Sequence, residues 1–340
     1  METKNYVGID ISSKFFTSSL FTKEDKNMKT FEDFDNSKDG FLSMIQELIK
    51  LNIKLEETIF CIEETGVYGE HLAHFLYDNK YKVSVENSLK VKKTFGISFK
   101  KSDAIDSRRI AEYAYRFEDT LIQWRPKAQI IEEIRIFLVQ REQILKQRIA
   151  NINAKKAFER KFLQSTEAIE NYKEMIAANN KVIKGIEKMI LELIKTDSVY
   201  AQNFSNITSI PGIGNIIGFH ILVMTNGFTE HLNYKELASY LGIVPEIYES
   251  GTSVRKRSSS SGLGPGTLRK LLYMASMTSR LHNKSMKAYF LRKVAEGKSK
   301  KLVLNNIGNK LLKLIVALIK SGNSYEENFR SINPVFLINS

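Results

Sequence analysis

The stretch Asn5-Tyr-Val-Gly-Ile-Asp10-Ile-Ser-Ser-Lys-Phe-Phe-Thr-Ser-Ser-Leu-Phe-Thr22 sets the fold class. Apolar and β-branched residues dominate it, so it predicts a strand, a bend and a second strand, with polar Asp10 inside the first run. A charged turn from Lys23 to Lys26 leads to a third short strand near 28–34. Helical spacing follows over 40–51, with Phe41, Leu42, Ile45, Leu48 and Ile49 on one side. Residues 58–63 read as a buried strand ending in Glu63, 71–79 as a helix after Gly66-Val-Tyr-Gly, and 82–86 as one more strand. Strands first, then strand and helix in alternation, predict an α/β domain over about 1–120.

That domain closes with Ser102-Asp103-Ala-Ile-Asp106-Ser-Arg108-Arg109, which reads as a helix start running to about Arg116. Ser102 suits the N-cap, and acids in the first turn suit the positive end of the helix dipole. Asp103 and Asp106 are three apart and share a face. Two readings stay open from these residues alone. One is a capped helix with a surface ion pair to Arg108 or Arg109. The other is a Mg²⁺ site that needs further acids from elsewhere in the chain.

The totals narrow the class. The chain has 340 residues, 43% of them apolar, and carries a net charge of +13. Residues 250–301 hold 13 Lys/Arg against one acid, Glu296, so nearly the whole excess sits in one block. That points to a polyanionic partner engaged by one region. Cys61 is the sole cysteine, which excludes a disulfide framework or a thiolate metal cluster. No run of 18 apolar residues occurs, and Met-Glu-Thr-Lys-Asn does not open a signal peptide, so a soluble intracellular protein with no membrane association is expected.

A different regime begins at Pro126. Ile169, Tyr172, Ile176, Asn179, Ile183, Ile186, Ile190 and Leu193 alternate by three and four, a heptad seam with a polar Asn179 in it. Residues 128–163 are helical too, but Arg141 and Arg148 interrupt their seam. An antiparallel pair of long helices is expected, closing within one chain or between chains. After Thr196, Ile207-Thr-Ser-Ile-Pro-Gly212-Ile-Gly214-Asn has the form helix, tight turn, helix, in which glycines let backbone N–H groups approach a phosphate. A plain helix–turn–helix connection is the alternative. Tyr234–Leu241 forms a short helix, Tyr248 to Gly266 a long polar loop, and helices resume over 267–281, 285–296 and 302–321.

Several motifs in chain order now carry a resemblance. Tyr6-Val-Gly-Ile-Asp10-Ile-Ser-Ser-Lys14, Cys61-Ile-Glu63-Glu-Thr-Gly66-Val-Tyr68 and Ser102-Asp103-Ala-Ile-Asp106-Ser resemble the Asp-Glu-Asp-Asp, RuvC-like domain of an insertion-sequence transposase family. That family comprises bridge-RNA-guided recombinases and is related to the Piv-type DNA invertases. Ser209-Ile-Pro-Gly-Ile-Gly214, Tyr248-Glu-Ser250-Gly-Thr-Ser-Val-Arg255 and Gly266-Thr-Leu-Arg-Lys-Leu-Leu-Tyr273 are similar to its second half, so the likeness runs from about residue 5 to 322.

The resemblance implies an RNase-H/RuvC-like α/β domain over 1–125, a helical coiled-coil connector over 126–200, a mostly helical basic domain over 201–325 and a tail over 326–340. It implies that Asp10, Glu63, Asp103 and Asp106 are catalytic and bind Mg²⁺, with Mn²⁺ as a substitute, and that Ser250 is the nucleophile. Glu64 is a rival to Glu63, although a strand ending at Ile62 sends neighbours to opposite faces. Gly212, Gly214, Arg255, Lys256, Arg257, Arg269 and Lys270 are the expected nucleic-acid contacts, which in the basic block go to phosphates and carry little sequence readout. Tyr273, Tyr289 and Phe290 sit at helical spacings that favour packing, and His220, His231 and His282 are scattered.

The implied function is a transposase or site-specific recombinase that cuts and rejoins DNA through a serine–phosphate link. Its implied partners are donor DNA, target DNA, a guide noncoding RNA and further copies of the chain, as dimer or tetramer. A cytoplasmic, prokaryotic, nucleoid-associated protein is expected. Two alternatives remain at this point. One is a metal-dependent junction nuclease in which Ser250 is incidental; the other is a non-catalytic nucleic-acid-binding protein whose acids cap helices.

Overall fold

The computed structural model describes residues 4–24, 28–64, 66–95, 102–229, 233–246, 249–250, 254–255, 259–260 and 266–327. Lys256, Arg257 and His231 lie outside the described residues, and of Ser250 and Arg255 only the backbone is described. The chain divides into two compact units, 1–126 and 127–340.

In the first unit, β1 (Asn5–Ile11), β2 (Phe15–Thr22) and β3 (Met28–Asp35) form an antiparallel meander. Helix α1 (Lys38–Lys50) leads to β4 (Thr58–Glu63), α2 (Glu70–Asp78) and β5 (Lys82–Glu86), and then to α3 (Ser88–Phe95) and α4 (Asp103–Arg116). The sheet order is β3-β2-β1-β4-β5, with β4 parallel to β1 and β5 parallel to β4. This mixed sheet is compatible with an RNase-H-like domain.

Strand alternation sorts the residues onto two faces. Val7, Ile9, Ile11, Phe60 and Ile62 join α1 and α2 in one core, through Phe41, Met44, Leu48, Leu72 and Leu76. Tyr6 and Cys61 face the other way, onto Val91 of α3 and Ile110, Ala111 and Ala114 of α4. Helix α3 was not anticipated by the apolar periodicity, because it is short and rich in lysine; Asn87 marks its start by accepting the Leu89 N–H at Oδ1.

The second unit opens with α5 (Gln129–Phe158) and α6 (Thr166–Lys195). Their cross-contacts fix an antiparallel hairpin within the chain: Arg141 donates to Glu187 at 2.8 Å, Arg148 to Asn180, and Phe158 packs on Tyr172. The two arginines that interrupt the apolar seam are thus partnered across it. Asn179 keeps a buried amide nitrogen with no partner among the described residues. Ile183, Ile186, Ile190 and Ile194 are the residues that α6 buries, so Ile194 takes the place expected of Leu193.

Helices α7 (Ser198–Thr208), α8 (Asn215–Met224) and α9 (Tyr234–Tyr240) follow. Four two-residue strands come next: β6 (Pro245–Glu246), β7 (Glu249–Ser250), β8 (Val254–Arg255) and β9 (Ser259–Ser260). The segment expected as a long polar loop is therefore folded back on itself, with β7–β8 pairing inside β6–β9. Alternating polar residues and serines gave no apolar pattern from which to read those pairs. Helices α10 (Gly266–His282), α11 (Lys284–Ala295) and α12 (Lys300–Ser321) complete the unit.

Helix α12 is long and apolar enough to cross a membrane by composition, but Val303, Ile307, Leu311, Leu312 and Ile315 are fully buried. They pack with Ile190, Ile207, Phe219, Leu237 and Leu272 in one core. Helix α12 is a core helix of this unit.

Candidate active site

Register places the first two acids side by side. Ile9 of β1 is level with Ile62 of β4, so Asp10 and Glu63 are the next residues on adjacent parallel strands. Alternation points both to the face that carries α3 and α4. Asp10 is half-buried; Glu63 is buried, with Oε1 3.2 Å from the Lys92 Nζ of α3. Its neighbour Glu64 is exposed and lies past the strand end, which distinguishes the two glutamates.

Helix α4 supplies the other two acids. A Cβ on Gly8 would lie 2.3 Å from the Ser107 carbonyl and 2.1 Å from the Ala111 nitrogen, so the helix backbone rests directly on β1. Tyr6, two residues back along β1, meets Tyr115 at 5.5 Å between ring centroids. The helix therefore runs antiparallel to β1, with its N-terminus toward Asp10. Two strand residues span about 6.6 Å, and about four helical residues cover the same rise. Counting back from Ser107 brings the first turn, Asp103 to Asp106, level with Asp10.

Local chemistry holds the helix in that position. Ser102 accepts the Ile105 N–H at Oγ as N-cap, Ser107 shares a 2.8 Å hydrogen bond with Ser19, and Arg108 donates to Thr30 at 2.7 Å. Asp106 faces Arg109 at 3.7 Å, and Asp103 is exposed. The capped helix and the ion pair are both present, and so is the alignment with Asp10 and Glu63. Among the described residues, no three carboxylate or imidazole groups converge closely enough to hold a metal as they stand.

The donor set nevertheless fits a divalent cation. All four acids offer hard carboxylate oxygens, which such ions prefer. Buried Glu63 already has a cationic group, the Lys92 ammonium, against its oxygen.

A fifth acid was missed from the sequence. Glu86 ends β5 opposite Glu63 in register and is equally buried. Its carboxylate accepts from Ser84 at 3.0 Å and from Lys90 at 3.2 Å. Burial and then Glu86 push the Tyr113 hydroxyl up to about 12. Burial, followed by the Glu86 and Glu63 charges, likewise pushes the Cys61 thiol up. The available signal was positional, an acid at the end of a second parallel strand. A cavity of about 410 Å³ lies instead between α1 and α2, lined by Phe41, His71 and His74, on the face away from these acids.

In the second unit, Gly212 has φ +100°, and a Cβ there would lie 2.2 Å from Ser279 Oγ, which itself donates to the Pro211 carbonyl. Packing of the turn on α10 accounts for that glycine. Gly214 caps α8 with open space around it. Arg269 donates to the Leu241 carbonyl at 3.2 Å, while Lys270 is exposed. Phe290 is buried and Tyr273 is not. Ser250 and Arg255 are brought into one two-stranded ladder by the pairs Ser250↔Val254 and Glu249↔Arg255.

A family described as Transposase, the Asp-Glu-Asp-Asp IS110 type, matches residues 7–166. The family described as Transposase IS116/IS110/IS902 matches residues 205–291. The chain belongs to the IS110-type transposases. It is 28% identical over 338 residues to the pilin gene-inverting protein of Moraxella lacunata, covering 96% of this chain and 98% of that one. The corresponding Moraxella bovis protein is similar to the same extent. The insertion element IS110 uncharacterized 43.6 kDa protein of Streptomyces coelicolor is 26% identical over 120 residues, 35% of this chain and 29% of that one. This IS110-type chain is accordingly a DNA-rearranging enzyme, which removes the non-catalytic alternative.

Proposed function

We propose that the acids at the strand ends and on α4 bind Mg²⁺, or Mn²⁺ in its place, and that the enzyme cuts and rejoins DNA through Ser250. The observation that carries the reading is the alignment of Asp10 and Glu63 on adjacent strands with the α4 turn holding Asp103 and Asp106. A bound divalent cation there supplies charge neutralisation for a phosphodiester in line for displacement. Asp10 and Glu63 would hold it from the sheet, and Asp103 and Asp106 from the helix.

In the serine step, Ser250 Oγ forms a bond to phosphorus as the bond to one deoxyribose oxygen breaks. The hydroxyl proton leaves with general-base help, and the departing sugar oxygen is protonated. One phosphodiester replaces another, so the energy for rejoining is kept. Arg255 and the exposed lysines of the basic block neutralise phosphates on either side. A guide noncoding RNA that pairs with donor and target DNA would explain how phosphate contacts suffice for site choice. Several copies of the chain, as dimer or tetramer, would hold the strands to be exchanged.

The test is to recover DNA covalently attached to protein after denaturation. The wild type is expected to yield an adduct that maps to Ser250, and Ser250→Ala none. Recombination by Ser250→Ala would overturn the serine step, and metal-dependent cleavage to free ends with no adduct would favour the junction nuclease.

A further inference from the structure

Two buried glutamates, Glu63 and Glu86, face each other in register on adjacent strands. Like charges so placed repel, and burial weakens the screening that water would give. Helix α3 answers with one lysine for each: Lys92 meets Glu63 at 3.2 Å and Lys90 meets Glu86 at 3.2 Å. Val91 between them is buried in the core with α4, which pins the short helix at this edge. The two pairs differ in what else they hold. Glu86 is also bonded by Ser84 at 3.0 Å and lies against Tyr113, a closed set of partners. Among the described residues, Lys92 is the cationic group that meets Glu63, and its side chain is 63% exposed, so it can leave into water at little cost.

We propose that Lys92 is a built-in stand-in cation that occupies the Glu63 carboxylate until a divalent ion displaces it, and so sets the metal affinity of the site. Lys90 is as exposed as Lys92, so the contrast lies in the carboxylates: Glu86 keeps Ser84 and Tyr113 whether or not its lysine stays, while buried Val91 keeps α3 at the edge as Lys92 exchanges. The inference rests on the reading of Glu63 as a metal ligand. A monovalent ammonium can neutralise one carboxylate but cannot bridge several, so a divalent ion wins once the acids of β1 and α4 also contribute. The competition lowers metal affinity while the site is empty of substrate and prevents Glu63 from standing uncompensated in a buried position.

The experiment measures Mn²⁺ binding to the purified full chain by electron paramagnetic resonance, with melting temperature read in parallel. The proteins compared are the wild type, Lys92→Met, Lys92→Arg and Glu63→Gln. Since an exposed ion pair is modest in strength, Lys92→Met is expected to bind Mn²⁺ about three- to fivefold more tightly. Lys92→Arg should bind like the wild type, and Glu63→Gln should lose the site. Lys92→Met should also melt earlier than the wild type without Mn²⁺ and gain more on its addition, a signature that a purely structural lysine would not give. Equal or weaker binding by Lys92→Met, with wild-type binding intact, overturns the role of Lys92 and leaves the metal site standing. Failure of the wild type to bind more Mn²⁺ than Glu63→Gln overturns the metal reading itself, and this inference with it. The exposure of Lys92 means that the methionine variant folds.

Discussion

A methyl group on Gly8 would collide with the backbone of α4 at both Ser107 and Ala111, and backbone cannot swing aside as a side chain can. Gly8→Ala is therefore expected to destabilise the first unit by about 1–3 kcal/mol, an overpacking cost. It should also lift the helix that carries Asp103 and Asp106, so DNA rearrangement should fall further than stability; urea unfolding and a recombination assay read the two effects. Cys61 gives a second check on the same face. It is wholly buried, and burial raises its thiol above the usual range, so the thiolate that would react is scarce. At pH 8 the native protein should resist iodoacetamide and label only as the sheet opens in urea. Labelling of native protein at the rate of a free thiol would place Cys61 elsewhere. Much of this was legible in single residues: Asp10 within an apolar run and Glu63 at a strand end announce themselves as misplaced charges. Glu86 carries the same signal at the end of β5, but its pairing with Glu63 needs the register of the two strands, and its lysine partner lies on a helix that no apolar pattern reveals.

At the scale of elements, helices with an apolar stripe or a cap were readable, and Ser102 does cap α4 as its position suggests. The interruptions were informative in a different way. Arg141 and Arg148 spoil a heptad seam but find Glu187 and Asn180 across the hairpin, a long-range pairing that no local spacing encodes. Helix α8 carries His220, whose pKa is lowered first by burial and then by the nearby Arg141 charge, with Glu142 opposing. The folded protein thus disfavours the protonated form. Its contribution is fully present above the unfolded pKa of about 6.5 and is lost as pH falls below that value. The melting temperature of the wild type should drop between pH 7.5 and 5.5 more than that of His220→Gln. Parallel curves for the two would refute the assignment. The β6–β9 segment shows the opposite limit: two-residue strands, mostly serine and charged residues, are set by chain reversal, and their pairing was not readable from pattern.

Across the whole molecule, charge and chemistry are segregated along the chain. The acids lie in the first unit, while residues 250–301 hold most of the net positive charge. A phosphoryl-transfer enzyme needs both, acids to hold a cation and bases to hold the nucleic acid, so composition indicated the class while register was needed to assemble the acids. The central claim is that Glu63, rather than its exposed neighbour Glu64, belongs to that assembly with Asp10, Asp103 and Asp106. It is tested most directly by quantifying recombined DNA junctions in cells that carry the coding gene with its flanking DNA, for the wild type, Glu63→Gln and Glu64→Gln. Loss of one preorganised charged group at a phosphoryl-transfer centre should cost at least about 10²-fold. Junctions are expected to vanish in Glu63→Gln and to persist in Glu64→Gln. Recombination by Glu63→Gln at the wild-type level would contradict the account.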